Sequence, residues 1–176
     1  MLIIRKPLPS GPVNVIVKKG PRMTEPRKKI RIGVIGGNHP RQEFLKMAFE
    51  VGRLIAQNEA VLVCGGLGGV MDEAARGARE AGGLSIGILP GNRASDANAY
   101  IDIPIATGLG YTRNSLVAMN ADALIAVDGE YGTLSEIAFG CIYGKKVVGL
   151  GTWEINGVVQ ARTPEEAVAL ALKGLK

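Results

Sequence analysis

The stretch ADALIAVDGEYGTLSEIAFGCIY, residues 121–143, decides the fold. It begins with a continuous apolar run, passes through a turn that contains Gly129 and Gly132, and continues as an apolar helical pattern. An apolar run that ends in glycine is typical of a strand buried on both faces of a parallel sheet. The stretch therefore predicts a strand, a tight turn and a helix, which is the repeating unit of an α/β fold.

The same unit recurs along most of the chain. Apolar runs that predict further strands are IRIGVIGG (30–37), AVLVCGG (60–66), LSIGILPG (84–91), IDIPIATG (101–108), KKVVGLG (145–151) and VVQAR (158–162). Pro104 lies in the fourth of these runs and predicts an edge strand. Helical patterns separate the runs, and strands that alternate with helices form parallel sheets. We therefore expect one doubly wound, Rossmann-like α/β domain over residues 29–176, with a mainly parallel sheet and helices on both faces.

Three helix starts carry their own signals. Asn38 is a candidate cap for a helix over about 41–57. Thr133 and Glu136 have the spacing of a capping box, and the run Thr163-Pro164-Glu165-Glu166 has the same spacing with proline at the first helical position.

Residues 1–28 differ from the rest. They are proline-broken and hold much of the positive charge of a chain whose formal net charge is +5. We interpret them as a basic, solvated N-terminal extension, with a possible hairpin and a linker. Aromatic residues make up only 5% of the chain, which argues against a nucleic-acid partner that stacks bases.

The composition also bears on the compartment. No apolar stretch approaches the roughly 20 residues of a membrane span, and no signal peptide is evident. Cys64 and Cys141 lie in apolar surroundings, so we expect buried, reduced thiols. These observations predict a cytoplasmic protein without a membrane partner.

Several familiar chemistries are poorly supported. CGGLGGVM (64–71) does not match the dinucleotide fingerprint, and GCIYGKK (140–146) is one residue short of a P-loop and ends a helix. The single histidine, His39, does not support Ser-His-Asp or HExxH chemistry. We expect no bound metal and no resident cofactor.

Glycine-rich segments follow the predicted strands, so they should converge on the carboxyl edge of the sheet, where such folds bind ligands. Glycines free backbone N–H groups to face an anion, although tight strand–helix packing also selects glycine. The ligand-binding candidates in these segments are Gly36, Gly37, Asn38, Gly65, Gly66, Gly68, Gly69, Gly129, Glu130, Gly132 and Thr133.

Two segments carry a family resemblance. CGGLGGVMDEAARGAREAGG (64–83) is similar to the GGGxxGxM block of the Lonely Guy family, and YTRNSLVAMNADALIAVDGEYGTLSE (111–136) is similar to its arginine-strand-PGGxGTxxE block. The resemblance covers about residues 30–175 and is closest to the bacterial and archaeal branch that includes the molybdenum cofactor carrier protein. It implies a Rossmann-like fold and subunits paired as a homo-oligomer, at least a dimer.

The resemblance also implies an activity. Characterised enzymes of that family hydrolyse nucleoside 5′-monophosphates to the base and ribose 5-phosphate. Their catalytic arginine and glutamate fall on Arg113 and Glu136, and their phosphate loop falls on Gly129, Tyr131, Gly132 and Thr133, with Met71 in the first block. We expect Arg113 to hold the phosphate or ribose and to keep Glu136 ionised.

Two positions depart from the enzyme pattern. Asp128 stands where the enzymes have proline, and Glu130 stands where they have the second glycine of the loop. A carboxylate in a phosphate loop opposes an anion. The sequence thus leaves three alternatives open: a phosphoribohydrolase, a non-catalytic carrier or sensor of a phosphorylated cofactor such as a pterin, and a basic-armed nucleic-acid adaptor.

Overall fold

The computed structural model describes residues 29–175, which form seven strands and five helices. The strands are β1 (Arg31–Gly36), β2 (Val61–Cys64), β3 (Leu84–Leu89), β4 (Ile103–Ala106), β5 (Ala123–Val127), β6 (Lys146–Leu150) and β7 (Val158–Ala161). The helices are α1 (Gln42–Gln57), α2 (Val70–Glu80), α3 (Asn114–Asn120), α4 (Tyr131–Ile142) and α5 (Pro164–Leu172). Short 3₁₀ turns cover Ala94–Asp96 and Gly110–Arg113. The basic extension predicted over residues 1–28 lies outside the described residues.

The seven strands form one sheet in the order β4-β3-β2-β1-β5-β6-β7, and every neighbouring pair is parallel. The predicted α/β fold is confirmed, and β4, which contains Pro104, lies at an edge as expected. β1 pairs with both β2 and β5, so the order of connections reverses between β1 and β5. In such sheets the reversal leaves a crevice at the carboxyl ends of the strands.

Helices cover both faces of the sheet. Because successive side chains of a strand point to opposite faces, β1 contributes Ile32 and Val34 to one core and Ile35 to the other. α1, α2 and α5 pack over the first core, and α3 and α4 over the second. Helices α3 and α4, which precede and follow β5 in the chain, therefore lie on the same face of the sheet.

The helix starts match the sequence signals in one of three cases. Thr163 caps α5, since its hydroxyl oxygen accepts a hydrogen bond from the Glu166 N–H at 3.2 Å. Asn38 does not cap α1, because that helix begins at Gln42 and its N-terminal flanking residue makes no side-chain cap. α4 begins at Tyr131, so Thr133 already lies within the helix and the predicted capping box there is wrong.

The two cysteines differ in exposure. Cys64 is buried at the end of β2, as expected, but Cys141 is exposed on α4. The expectation for Cys141 is wrong because α4 is apolar on its outer side as well, where Ile142 is 72% exposed. Within residues 29–175 no helix combines the length and apolar character that a membrane crossing requires.

Candidate functional site

A cleft opens at the carboxyl edge of the sheet between β1 and β5. Its volume is about 120 Å³, less than the roughly 300–1,000 Å³ of pockets that enclose a whole drug-sized ligand. It is lined by Gly36, Gly37, Asn38, Met71, Tyr111, Arg113, Asn114, Glu130, Gly132, Thr133 and Glu136. The cleft therefore has room for one small polar group of a ligand, and the rest of that ligand must lie outside the cleft.

The structure brings together most of the candidates from the sequence but not all. Nine of the lining residues are candidates, including Arg113 and Glu136. The candidates that do not line the cleft are Gly65, Gly66, Gly68, Gly69, Gly129 and Tyr131. Sequence reasoning missed Tyr111 and Asn114, which flank Arg113 in the segment YTRN before α3. The polar side chain next to Arg113 at a helix start was the available signal for Asn114.

Arg113 and Glu136 form a buried pair at the floor of the cleft. Nη1 of Arg113 lies 3.5 Å from Oε1 of Glu136, and the two side chains are 9% and 7% exposed. Arg113 ends the 3₁₀ turn before α3, and Glu136 lies in the second turn of α4. α3 and α4 pack on the same face of the sheet, and this packing joins two residues that are 23 positions apart.

Asn114 fixes the pair from the side. Its Oδ1 accepts a hydrogen bond from Nη1 of Arg113. Its Nδ2 donates to the hydroxyl of Ser135 at 2.9 Å and to the carbonyl of Gly132 at 3.2 Å. Asn114 thereby ties the arginine to the first turns of α4, which limits the positions that the guanidinium can adopt.

Two effects act on the charge of Glu136. Burial raises the pKa of Glu136 to about 8, and the opposing attraction of Arg113 does not reverse this. Burial thus acts against the expectation that Arg113 keeps Glu136 ionised. A protonated Glu136 leaves the Arg113 charge uncompensated, and Nε of Arg113 is buried without a hydrogen-bond partner. The cleft thus offers a guanidinium that can take an anion.

The turn after β5 adds a helix N-terminus to this charge. The first N–H groups of a helix have no intrahelical acceptor and carry a partial positive charge. Gly132 and Thr133 bring the start of α4 to the cleft. Glu130 precedes the helix, lines the cleft and is exposed, and its side chain makes no cap bond. The exposed mouth of the cleft therefore carries the carboxylate of Glu130, whereas its buried floor carries the guanidinium of Arg113.

Two glycines outside the lining shape the site by close packing. A Cβ on Gly65 would lie 2.5 Å from Nη2 of Arg113, so the arginine crosses directly over this backbone. Gly69 has a positive φ of 64°, and a Cβ there would lie 2.3 Å from the carbonyl oxygen of Gly37. Gly68 has open space around it. The packing explanation for glycine therefore accounts for Gly65 and Gly69.

No candidate metal centre is found in the described part of the chain, where no three His, Cys, Asp or Glu residues are grouped to hold an ion. The side chains that line the cleft can form hydrogen bonds and ion pairs with a ligand.

Known proteins resemble the chain closely. An uncharacterised protein of Archaeoglobus fulgidus is 47% identical over 143 residues, which is 80% of this chain and 93% of that protein. The structure of a molybdenum cofactor binding protein from Rippkaea orientalis matches with a TM-score of 0.81 and 35% identity, over 86% of this chain and 100% of that one. The molybdenum cofactor carrier protein of Chlamydomonas reinhardtii matches with a TM-score of 0.76 and 36% identity, over 84% of this chain and 99% of that one.

The family comparison agrees with the fold. The model of the SLOG cluster4 family matches residues 29–173, which include every strand and helix described above. The protein therefore belongs to the SLOG cluster4 family.

Proposed function

We propose that this protein binds a phosphorylated pterin-type cofactor, with the molybdenum cofactor as the specific candidate, and carries it without chemical change. The phosphate occupies the cleft between β1 and β5, and the pterin lies outside it. The two structural relatives described as binding or carrying the molybdenum cofactor support this ligand class, since both align over more than four fifths of the chain.

The state of Arg113 is the observation that carries the proposal. Its guanidinium is buried, its Nε has no hydrogen-bond partner, and burial raises the pKa of the neighbouring Glu136 to about 8. A raised pKa makes Glu136 a weaker counter-charge for the buried cation, whereas arginine and a phosphate form strong charge-assisted hydrogen bonds. An anionic group in the cleft supplies a stronger counter-charge.

Hydrolysis of a ribosyl bond needs a different state of the same residues. Positive charge develops on the sugar in the transition state, and an ionised carboxylate stabilises it. Burial raises the pKa of Glu136, which favours its neutral form. In addition, Asp128 has a φ of 51°, which proline cannot adopt, so the turn differs in backbone from a loop with proline at this position. Both features favour binding over turnover.

A nucleoside 5′-monophosphate phosphoribohydrolase of the Lonely Guy type is the second candidate. The observation in its favour is that Arg113 and Glu136, the positions of the enzymes' catalytic pair, lie 3.5 Å apart in the cleft. A ligand that displaces Glu136 toward solvent would lower its pKa and restore the ionised carboxylate.

The test compares binding with turnover on the full chain. Calorimetry should give saturable binding of 6-hydroxymethylpterin monophosphate, and chromatography should recover the pterin unchanged. Arg113→Ala should weaken binding at least tenfold, because it removes the buried donor of the cleft. Arg93→Ala is the matched control, since Arg93 is 73% exposed and pairs with Asp96 away from the cleft.

Two outcomes would contradict the proposal. The first is no binding of the phosphorylated pterin. The second is release of adenine and ribose 5-phosphate from AMP in many turnovers, abolished by Glu136→Gln, which would establish the hydrolase.

We also propose that the protein works as a homo-oligomer of at least two chains. α4 begins at the cleft and exposes apolar side chains along its outer side, among them Ile142, which is 72% exposed. A helix that is apolar all round is normally covered by another element or molecule. Sedimentation equilibrium should give at least twice the mass of one chain, and a single-chain mass at micromolar concentration would refute the oligomer.

A further inference from the structure

The exposed aromatic side chains are concentrated at one edge of the sheet. Within residues 29–175, the aromatic side chains that are largely exposed are Tyr111 at 87%, Tyr131 at 81% and Trp153 at 39%. Tyr111 follows β4, Tyr131 follows β5 and Trp153 follows β6. All three therefore stand at the carboxyl ends of strands, the edge that carries the cleft.

The three residues surround the mouth of the cleft. Tyr111 is part of its lining. Tyr131 lies between Glu130 and Gly132, which both line the cleft, and its ring centroid is 6.3 Å from that of Trp153, with the planes inclined by 31°. We call Tyr111, Tyr131 and Trp153 the aromatic rim.

Two hydrogen bonds connect the segment that carries Trp153 to the turn before Tyr131. The hydroxyl of Thr152, next to Trp153, donates to the carbonyl oxygen of Asp128 at 2.5 Å. The N–H of Asp128 donates in turn to the carbonyl of Leu150 at 3.2 Å. The segment after β6 is thus attached to the turn that precedes Tyr131, which brings Trp153 close to Tyr131.

Because these aromatic side chains are exposed, we expect a ligand to cover them. Aromatic rings bury large areas in most proteins, and leaving them in water forfeits that stabilisation. The cleft itself has room for about 120 Å³, so the part of a ligand beyond its anionic group must lie over the surrounding surface. The rim forms that surface.

We propose that the aromatic rim binds the planar heterocycle of the ligand by stacking, while the phosphate of the same molecule lies in the cleft. This inference rests on the proposed function and specifies how the pterin of the cofactor is recognised. Aromatic side chains stack on flat heterocycles of many kinds, so the rim selects for a planar ring, and the cleft selects for its phosphate.

Trp153 provides a direct readout. It is the single tryptophan of the chain, so intrinsic fluorescence reports on the rim alone. Titration with 6-hydroxymethylpterin monophosphate should quench this fluorescence, whereas inorganic phosphate at saturating concentration should leave it nearly unchanged. The same titration of free N-acetyltryptophanamide separates quenching on binding from absorption of the light by the pterin.

Variants test the energetic role of the rim. Tyr131→Ala and Tyr111→Ala should each weaken binding of the pterin monophosphate at least fivefold. Tyr131→Ala, whose side chain does not line the cleft, should leave the affinity for inorganic phosphate within twofold. Tyr131→Phe and Tyr111→Phe, which keep the rings, should bind the pterin monophosphate as the wild type does. Val159→Ala is the matched control, because it removes an exposed apolar side chain from β7, outside the cleft lining.

The outcomes separate this inference from the proposed function. If the wild type binds the pterin monophosphate and both alanine variants keep that affinity, the rim is not the ring site, while the carrier function stands. If Tyr131→Ala weakens inorganic phosphate as much as it weakens the pterin monophosphate, it perturbs the cleft and the inference fails. If the alanine variants reduce the mass in solution without weakening the pterin monophosphate, the rim contacts a second copy of the chain instead. Absence of any binding by the wild type refutes the function itself.

Discussion

Replacing Glu136 by glutamine should make the protein more stable at neutral pH and remove much of the pH dependence of its stability. The substitution keeps the shape of the side chain and an oxygen that can accept from Arg113. It removes the ionisable proton. Because Glu136 stays protonated in the folded state up to a pKa of about 8, against 4.5 for an ordinary glutamate, the folded protein binds one proton more than the unfolded chain between these pH values.

The sign and size follow from this proton. Where the folded state binds the extra proton, stability falls as the pH rises, by about 1.4 kcal/mol per pH unit. The cost is absent below pH 4.5, grows through the window and levels off above pH 8. Between pH 5 and pH 8 the wild type should therefore lose up to about 4 kcal/mol relative to Glu136→Gln.

Urea unfolding at pH 5, 6, 7 and 8 at constant ionic strength measures this difference. Glu43→Gln is the control, since Glu43 is an exposed carboxylate of α1 and reports the effect of removing charge at the surface. A free-energy difference between Glu136→Gln and the wild type that stays constant from pH 5 to pH 8 would mean that Glu136 is ionised in the folded protein. The uncompensated charge of Arg113 would then no longer support an anion site.

Three further predictions test the parts of the site separately. Gly65→Ala should weaken binding of a pterin monophosphate about tenfold, an estimate that assumes the loss of one charge-assisted contact. The reason is that its Cβ would lie 2.5 Å from Nη2 of Arg113 and displace that flexible side chain. Gly68→Ala, in open space, is the control, and calorimetry measures both affinities. Glu130→Gly should strengthen binding of nucleoside monophosphates several-fold at low salt and less at high salt, since it removes a like charge; equal affinities in both salts would contradict this. Deletion of residues 1–28 should preserve cooperative thermal unfolding, and a broad, non-cooperative transition would show that the extension belongs to the core.

The sequence was sufficient for most strands because they are largely apolar runs that end near glycine, as in the segment 30–37 that contains β1. It was less informative about α4. The first turn of that helix carries Tyr131 and Gly132, which do not favour a helix, so the pattern suggested a later start at Thr133. Exposure of Cys141 was also hidden, because a helix that is apolar all round does not indicate which side the rest of the chain covers.

The sequence predicted most residues of the site but not the raised pKa of Glu136. The family resemblance identified Arg113 and Glu136, and the structure places them in one cleft. The charge of Glu136 depends on burial, which raises the pKa of this 7% exposed carboxyl group even beside an arginine. Burial at this level results from the packing of α3 against α4 and has no signature in the residue types themselves. Tyr111 was missed for a similar reason, since nothing in a loop sequence indicates that one tyrosine faces a cleft.

The position of Glu130 is consistent with a ligand that has two kinds of polar group. Arg113 is buried at the floor of the cleft, and Glu130 is exposed at its mouth, where water weakens its repulsion of an anion below. A simple phosphate gains nothing from the carboxylate. A phosphorylated pterin presents amino and ring N–H donors about one molecule's length from its phosphate, and a carboxylate at the mouth accepts from them. Glu130→Gly should therefore change affinity in opposite directions, tighter for ribose 5-phosphate, which has no N–H donor, and weaker for the pterin monophosphate. A gain for both ligands would show that Glu130 makes no contact with the pterin.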